Sequence, residues 1–215
     1  MATTVRTRPA TTTETVTLGG VTAPRYMTLE EFDDFDWGDV HAELVRGEVQ
    51  LSPMVGLAYG RIVRNIFLAL HTHVAAHDLG EVFGDGLGYA LPALWQTNRG
   101  PDVSFIRGGA LPAEAPLQGS ARATPDLAVE VLSPSNTARK VEAKVADYMT
   151  AGVAAVWVVN PRTREVAVRT PDGGARVLRE HEVLDGAPVL PEFTLPVAAV
   201  FAGVAEPGPR RGRAR

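Results

Sequence analysis

Apolar residues recur at helical spacing along one long segment, from about residue 58 to residue 78. Apolar side chains spaced three to four residues apart fall on one face of a helix, so the pattern predicts the longest helix here, with Gly80 as its stop. A second helix is predicted from about residue 137 to residue 151, closed by Gly152. The apolar positions of the long helix are Ile62, Ile66, Phe67, Leu70 and Val74.

Two local patterns near the N-terminus predict a helix and a hairpin. Thr28 and Glu31, three residues apart and followed by Phe32, form a capping-box pattern that predicts a short opening helix. The run AELVRGEVQLSP then alternates polar and apolar residues on both sides of Arg46 and Gly47. We therefore expect a β-hairpin with its turn at this pair.

Short apolar runs bounded by glycine or proline predict further strands, and one predicted helix separates two of them. The helix at 137–151 lies between DLAVEVL and AAVWVVN, which predicts a strand–helix–strand unit. Strands and helices mixed in this way favour an α/β fold with a mixed β-sheet core flanked by helices. The predicted strands are EVFGD, GYALPA, PDVSFI, DLAVEVL, AAVWVVN and EVAVR.

The length and composition of the 215-residue chain predict one domain with two unstructured ends. Apolar residues make up 45% of the chain and charged residues 21%, which is sufficient for a sizeable core. Residues 1–24 have little to bury and predict a disordered N-terminal arm, and residues 205–215 predict a basic disordered tail. The domain itself is expected to span residues 25–204.

Composition also excludes several classes of site. The chain has no cysteine, so disulfides, thiolate catalysis and cysteine-bound metals are excluded. Neither a signal peptide nor a membrane-length apolar segment is visible, which predicts a cytoplasmic protein without membrane association. The net charge of −4 argues against nucleic-acid binding by bulk charge. It does not exclude a nuclease, because metal ions bound at carboxylates invert the local field.

The strand DLAVEVL carries the first candidate for chemistry, Glu130. Strand side chains alternate, so Leu127, Val129 and Val131 share one face while Glu130 lies on the other with Ala128. A carboxylate in so apolar a strand is costly unless a cation compensates it. The nearby candidates for a shared site are Glu43, Asp102, Asp126 and Lys144.

Such a group of side chains suits metal-assisted phosphodiester cleavage. Two or three converging carboxylates suit a hard cation such as magnesium, and a lysine beside it can orient or help deprotonate water and offset charge on the phosphate. Of 21 basic residues only Lys140 and Lys144 are lysines, and both lie on the helix after Glu130. Lysine is the cation whose pKa is readily shifted, so its use here is informative.

The chain resembles the Uma-two family, whose members have the restriction-endonuclease-like PD-(D/E)xK core. The resemblance covers about residues 25–200 and rests on three runs. These are AELVRGEVQLSP, GPDVSFI and PDLAVEVLSPSNTARKVEAKVADYMTAGVAAVWVVNP.

The resemblance implies a role for each candidate residue. Asp102 is the motif aspartate, Glu130 the second acidic metal ligand and Glu43 an additional acid at the metal. Leu132 occupies the usual lysine position, and Lys144 on the next helix is the matching residue. The implied activity is DNA hydrolysis with Mg²⁺ or Mn²⁺, and a homodimer is an open expectation because many nucleases with this core act in pairs.

Two departures from the family pattern keep alternatives open. Lys140 stands where an aspartate is expected, and Tyr59 stands where a histidine is common. One alternative is a weakened nuclease fold that binds nucleic acid or protein without cleavage. Others are a metal-dependent hydrolase of another phosphoester and a purely structural network of acids and lysine.

Simple structural readings apply to several other residues. Asp126, which follows a proline, is expected to make local backbone contacts at the start of its strand. Tyr148 is interpreted as a core residue with its hydroxyl at the edge. His73 and His77 have a spacing that can bind metal, but a solvated helix face is favoured.

Overall fold

The computed structural model describes residues 14–38, 40–53, 55–112, 114, 119–133 and 137–206. Its helices are α1 (Leu29–Asp33), α2 (Leu57–Ala76), α3 (Ala138–Ala151) and α4 (Val197–Val200). Its strands are β1 (Thr15–Leu18), β2 (Val21–Pro24), β3 (His41–Val45), β4 (Glu48–Ser52), β5 (Gly80–Phe83), β6 (Tyr89–Ala90), β7 (Asn98–Arg99), β8 (Val103–Arg107), β9 (Leu127–Val131), β10 (Ala155–Asn160), β11 (Glu165–Arg169), β12 (Ala175–Arg179), β13 (Val183–Asp185) and β14 (Thr194–Pro196).

A six-stranded sheet in the order β12-β11-β10-β9-β8-β5 forms the centre of the fold. Strands β9 and β10 are parallel and are joined through α3, while the other neighbours are antiparallel. The predicted strand–helix–strand unit and mixed sheet are therefore confirmed. The strands β9 and β10 are buried almost throughout, as expected for strands covered on both faces.

The two faces of the central sheet bury different sets of side chains. Helix α2 packs its apolar stripe on the face that carries Leu127, Val129 and Val131. Helix α3 covers the opposite face, where Ala128 lies among buried apolar residues. The alternation predicted for this strand is confirmed, and it directs Glu130 to the α3 side.

A second sheet has four strands in the order β4-β3-β7-β6. The predicted hairpin is β3–β4, and its turn residues Arg46 and Gly47 have φ angles of 50° and 81°. Positive φ at both turn positions matches the twist of a hairpin. The capping box of α1 is also confirmed, with Thr28 accepting from the Glu31 amide.

The prediction of a disordered arm over residues 1–24 is wrong for its second half. Residues 15–24 form the antiparallel pair β1–β2 around Gly19 and Gly20, and Ala23 is buried in a small apolar cluster with Phe32 and Leu44. A glycine pair flanked by short alternating strands is itself a hairpin signal, which the threonine-rich composition obscures. Residues 1–13 and 207–215 lie outside the described residues, so most of the predicted arm and tail is not tested.

The end of the long helix also differs from the prediction. Helix α2 ends at Ala76, and Gly80 is the first residue of β5 with a φ of 144°. A Cβ atom at this position would lie 2.2 Å from the carbonyl oxygen of Ile106 in the neighbouring strand β8. Gly80 is thus required for close strand approach. None of the helices in the described part of the chain is long and apolar enough to cross a membrane.

Among the glycine-to-alanine replacements in the described part of the chain, the one at Gly80 should destabilise the fold most. We expect Gly80→Ala to lower the free energy of unfolding by roughly 2–3 kcal/mol, because the backbone must move or strain. Gly60→Ala is the matched control: it lies in α2 with open space around its Cβ position and should stabilise by roughly 0.5–1 kcal/mol. Chemical denaturation followed by circular dichroism measures both, and equal stabilities would contradict the argument.

Candidate active site

Asp102 and Glu130 face each other across two neighbouring strands. The register pairs Val103 with Val129 in antiparallel strands, which places Asp102 opposite Glu130. The Asp102 amide donates to the Val129 carbonyl at 2.9 Å, and the Val131 amide donates to the Asp102 carboxylate at 2.5 Å. Both acids are at least nine-tenths buried. The structure therefore brings together the two predicted metal ligands.

Helix α3 supplies two partners for the Glu130 carboxylate. Lys144 Nζ lies 2.7 Å from Glu130 Oε2, and the Tyr148 hydroxyl donates to Glu130 Oε1 at 2.7 Å. Residues four apart on a helix are neighbours on one face, so both reach the same carboxylate. Lys144 is where the sequence predicted it. Tyr148 is fully buried and bound to the site, so its interpretation as a core residue with an edge hydroxyl missed this contact.

Glu43 reaches the same lysine from β3. Its Oε1 lies 3.1 Å from Lys144 Nζ and accepts from the Gly100 amide at 2.9 Å, while its Oε2 accepts from Arg99 Nη1 at 3.1 Å. The Gly100 carbonyl accepts from Lys144 at 3.1 Å. Glu43 is thus part of the site, but it is not among the residues that line the pocket.

Three residues that the sequence analysis did not propose as site residues extend the network. Arg99 donates to Asp147 through Nε at 3.1 Å and Nη2 at 2.6 Å, and Arg46 donates to the same carboxylate at 2.6 Å. The sequence did contain one indication of this network, namely the position of Asp147. It is an acid beside Val145 and Tyr148 on the buried side of α3, where an unpaired charge would be costly.

Tyr59, in the first turn of α2, donates a hydrogen bond to Asp102. Burial and the neighbouring Asp102 charge raise the pKa of Tyr59, so its hydroxyl stays a donor. The residue that departs from the family pattern therefore takes part in the site.

Burial and mutual repulsion shift the pKa values of the acids apart. Desolvation raises the pKa of Glu130 to about 8 despite the Lys144 charge, and the charges of Asp102 and Glu43 add to this rise. Desolvation likewise raises the pKa of Asp102. For Glu43, Lys144 and Arg99 outweigh desolvation and lower the pKa to about 2. Lys144 has a raised pKa because its acidic neighbours outweigh its burial, so it is charged.

Acidic side chains outnumber basic side chains in this region. Among the described residues the buried acids number four, whereas Arg99 is the one buried cation and the Lys144 side chain is 17% exposed. The Arg46 side chain is 51% exposed. The buried acids are Glu43, Asp102, Glu130 and Asp147.

A pocket of about 280 Å³ opens onto the paired carboxylates. Asp102, Glu130 and Lys144 line it together with Tyr59, and Lys140 lies at its exposed side. In the described part of the chain, no group of three histidine, aspartate or glutamate side chains is arranged to hold a metal ion. The pair that faces the pocket is Asp102 and Glu130.

The remaining candidates lie elsewhere. Asp126 accepts from the backbone amide and the Nε of Arg107, both at 2.9 Å, as expected for an acid at the start of a strand. His73 and His77 bond to the carbonyls of Pro191 and His73, at 2.9 and 2.8 Å. These contacts agree with the structural interpretation of all three residues.

The raised pKa of Glu130 predicts how stability depends on pH. Between the ordinary value of 4.5 and about 8 the folded protein keeps a proton that the unfolded chain has lost, so the free energy of unfolding should fall as pH rises through this window. Glu130→Gln should flatten the slope. Urea denaturation at pH 5, 6.5 and 8 without metal measures it, and Glu142→Gln, an exposed acid on α3, is the control. An unchanged slope in Glu130→Gln would contradict the shift.

The comparisons with known proteins agree with this fold. A crystal structure described as a putative nuclease belonging to DUF820, from Anabaena variabilis ATCC 29413, has a similar fold with a TM-score of 0.70. It is 20% identical, and the match covers 81% of this chain and 97% of that chain. The predicted restriction-endonuclease-like α/β class is thereby confirmed. No curated protein matches the chain. The Uma2 family model, described as "Putative restriction endonuclease", matches residues 29–198, and the chain therefore belongs to the Uma2 family.

Proposed function

We propose that the protein is a metal-dependent endonuclease that hydrolyses DNA phosphodiester bonds with Mg²⁺ or Mn²⁺. The observation that carries the proposal is the pairing of Asp102 and Glu130 at a pocket, with Lys144 Nζ 2.7 Å from Glu130. Membership of Uma2 and the nuclease-like fold support a nuclease at the level of the family.

The charges of the site fit a divalent cation. The buried carboxylates outnumber the cations around them, and Glu130 has a pKa of about 8 without metal. Magnesium prefers oxygen ligands and is commonly held by one or two carboxylates with water completing its shell. Asp102 and Glu130 would hold the ion. A bound divalent cation acts as a Lewis acid and lowers the pKa of its water.

Lys144 would act as a fixed positive charge. Its ammonium is held by Glu130, Glu43 and the Gly100 carbonyl, and its raised pKa keeps it protonated. It would therefore orient the attacking water and offset charge on the phosphate, in preference to removing a proton itself. Glu43 would place this ammonium. Metal ligation by Glu43 stays a prediction, but its oxygens already accept from Gly100, Lys144 and Arg99.

DNA is the proposed substrate, and a homodimer is the proposed assembly. The chain is acidic, with a net charge of −4, so attraction to DNA would depend on the bound metal and on basic side chains at the pocket. Cleavage of both strands of a duplex would need two active sites, which two copies of the chain could supply.

A second candidate function has its own support. Both Glu130 oxygens already bond to protein groups, and Asp102 accepts a hydrogen bond from Tyr59. Among the described residues, no group of three histidine, aspartate or glutamate side chains is arranged to hold a metal ion. These contacts would also suit a nuclease fold that binds nucleic acid or protein without cleaving it. Hydrolysis of a different phosphoester by the same cluster is a further alternative. Metal binding and cleavage separate these functions.

Purified protein should cut supercoiled and linear DNA in the presence of Mg²⁺ or Mn²⁺, and chelation should stop it. Loss of a metal ligand in Asp102→Ala or Glu130→Ala should abolish both cleavage and Mn²⁺ binding. Lys144→Ala should keep the metal but lower the cleavage rate by about 10²-fold or more, because a charge at the transition state is lost. Gel assays and titration calorimetry measure the two quantities.

Arg176→Ala is a suitable control, since its ion pair with Asp185 is not part of the pocket. Metal binding without cleavage of DNA, RNA or small phosphoesters would favour the binding module. Absence of metal binding in folded protein would contradict the proposal.

Lys140 should contribute to binding DNA rather than to the chemical step. It is exposed and lines the pocket. Lys140→Gln should weaken DNA binding and lower the slope of log affinity against log salt by about 0.9, the value for one phosphate contact. Lys140→Arg should retain binding. Arg139→Gln, one residue earlier and not part of the pocket, should change the affinity less, and an equal change would contradict the assignment.

A further inference from the structure

A buried ion pair between Arg99 and Asp147 lies next to the proposed catalytic residues. The two side chains are 5% and 3% exposed and are joined by two hydrogen bonds to one carboxylate oxygen, Asp147 Oδ2. Asp147 does not line the pocket, so it does not meet substrate directly. Neither residue has a role in the function proposed above.

The pair connects to Lys144 through Glu43. Arg99 uses its remaining nitrogen, Nη1, to donate to Glu43 Oε2 at 3.1 Å, and Glu43 Oε1 lies 3.1 Å from Lys144 Nζ. Lys144 in turn lies 2.7 Å from Glu130. Acidic and basic side chains therefore alternate along the whole sequence of contacts from Asp147 to Glu130.

Stability alone does not account for this arrangement. A buried ion pair is often no better for stability than apolar residues of similar size, because desolvation offsets the attraction. Asp147 also adds a fourth buried acid to this region. Its geometric effect is specific, since it occupies two of the three nitrogens of Arg99 and leaves one for Glu43.

We propose that Asp147 is a positioning residue for Lys144 that acts through Arg99 and Glu43. With Asp147 in place, Arg99 binds one oxygen of Glu43 and leaves the other for the lysine. Without Asp147, the freed nitrogens of Arg99 turn to Glu43 and compete with Lys144 for it. The ammonium then loses one of its two carboxyl contacts, the one with Glu43. The catalytic consequence rests on the proposed function, but the placement of Lys144 does not.

Because the chain has only two lysines, the surroundings of the Lys144 ammonium can be observed directly. Protein labelled with ¹³C at the lysine ε-carbon gives one signal for Lys144 and one for Lys140, assigned with Lys144→Ala. In metal-free protein, Asp147→Asn should move the Lys144 signal toward that of the exposed Lys140. Glu43→Gln should move it similarly, and Asp147→Asn should add little in the Glu43→Gln background.

Comparing the two single variants with the double variant separates an effect that passes through Arg99 and Glu43 from a direct effect of the Asp147 charge on Lys144. Asp147 lies three residues after Lys144 on α3, so its charge could act along the helix. A direct effect would persist in full in the Glu43→Gln background, and that result would overturn the proposal. An unmoved Lys144 signal in folded Asp147→Asn would also overturn it.

Cleavage kinetics provide the functional readout. Asp147→Asn should lower kcat by on the order of 10–100-fold, the usual loss when a supporting partner of a site is removed, while KM changes by less than about twofold. A matched rise in KM with unchanged kcat would contradict a positioning role. If wild-type protein cleaves no DNA, the proposed function fails, and the lysine signals still decide the placement of Lys144.

A second variant covers the case in which Asp147→Asn does not fold because Arg99 is left buried without its partner. Arg99→Met combined with Asp147→Leu replaces the ion pair by apolar side chains, which often preserves stability. The proposal predicts a folded protein with a moved Lys144 signal and reduced kcat. A wild-type signal and kcat would show that the pair is structural. Arg164→Met with Glu180→Leu, an ion pair remote from the pocket, is the control and should leave both unchanged.

Discussion

The burial of the Glu130 carboxylate in the central sheet is the constraint on which the site depends. Strand β9 must be apolar on both faces to pack between helices, so a carboxylate within it needs donors close at hand. Helix α3 provides them with Lys144 and Tyr148, both 2.7 Å from Glu130. Since α3 also connects β9 to β10, the same chain segment closes the parallel unit and compensates its charge. Fold and site are therefore not separable here.

The buried acids of the site are more numerous than the cations bonded to them, and this has a physical meaning. The four buried acids exceed the nearby cations, and the pKa of Glu130 reaches about 8. A protein selected for stability alone would gain by removing one of these acids, because each uncompensated charge destabilises the folded state. Strongly shifted pKa values of this kind cluster at functional sites. The excess of acidic groups is thus understandable if a divalent cation completes the site.

Local patterns in the sequence predict the parts of this arrangement that depend on local order. Helical spacing predicts α2 and α3, and strand alternation predicts which way Glu130 faces. Of the four predicted residues, Glu43 and Glu130 both contact Lys144, and Asp102 lies opposite Glu130 in the neighbouring strand. Arg99 was missed because β7 has only two residues and therefore no pattern. Its partners Glu43 and Asp147 are 56 and 48 residues away, a relation that only tertiary pairing creates.

The division between arginine and lysine in the network follows from their shapes. Arg99 binds two carboxylates at once, and its rigid planar guanidinium fixes the angle between Glu43 and Asp147. Lys144 instead occupies a point at 2.7–3.1 Å from two carboxylates and a carbonyl, a place that suits a compact ammonium with three donors. A guanidinium there would extend beyond the position of the ammonium. The chain uses arginine at almost every basic position, and geometry explains why residue 144 is a lysine instead. The rigid Arg99 holds the Glu43 carboxylate, and Glu43 in turn positions the flexible Lys144.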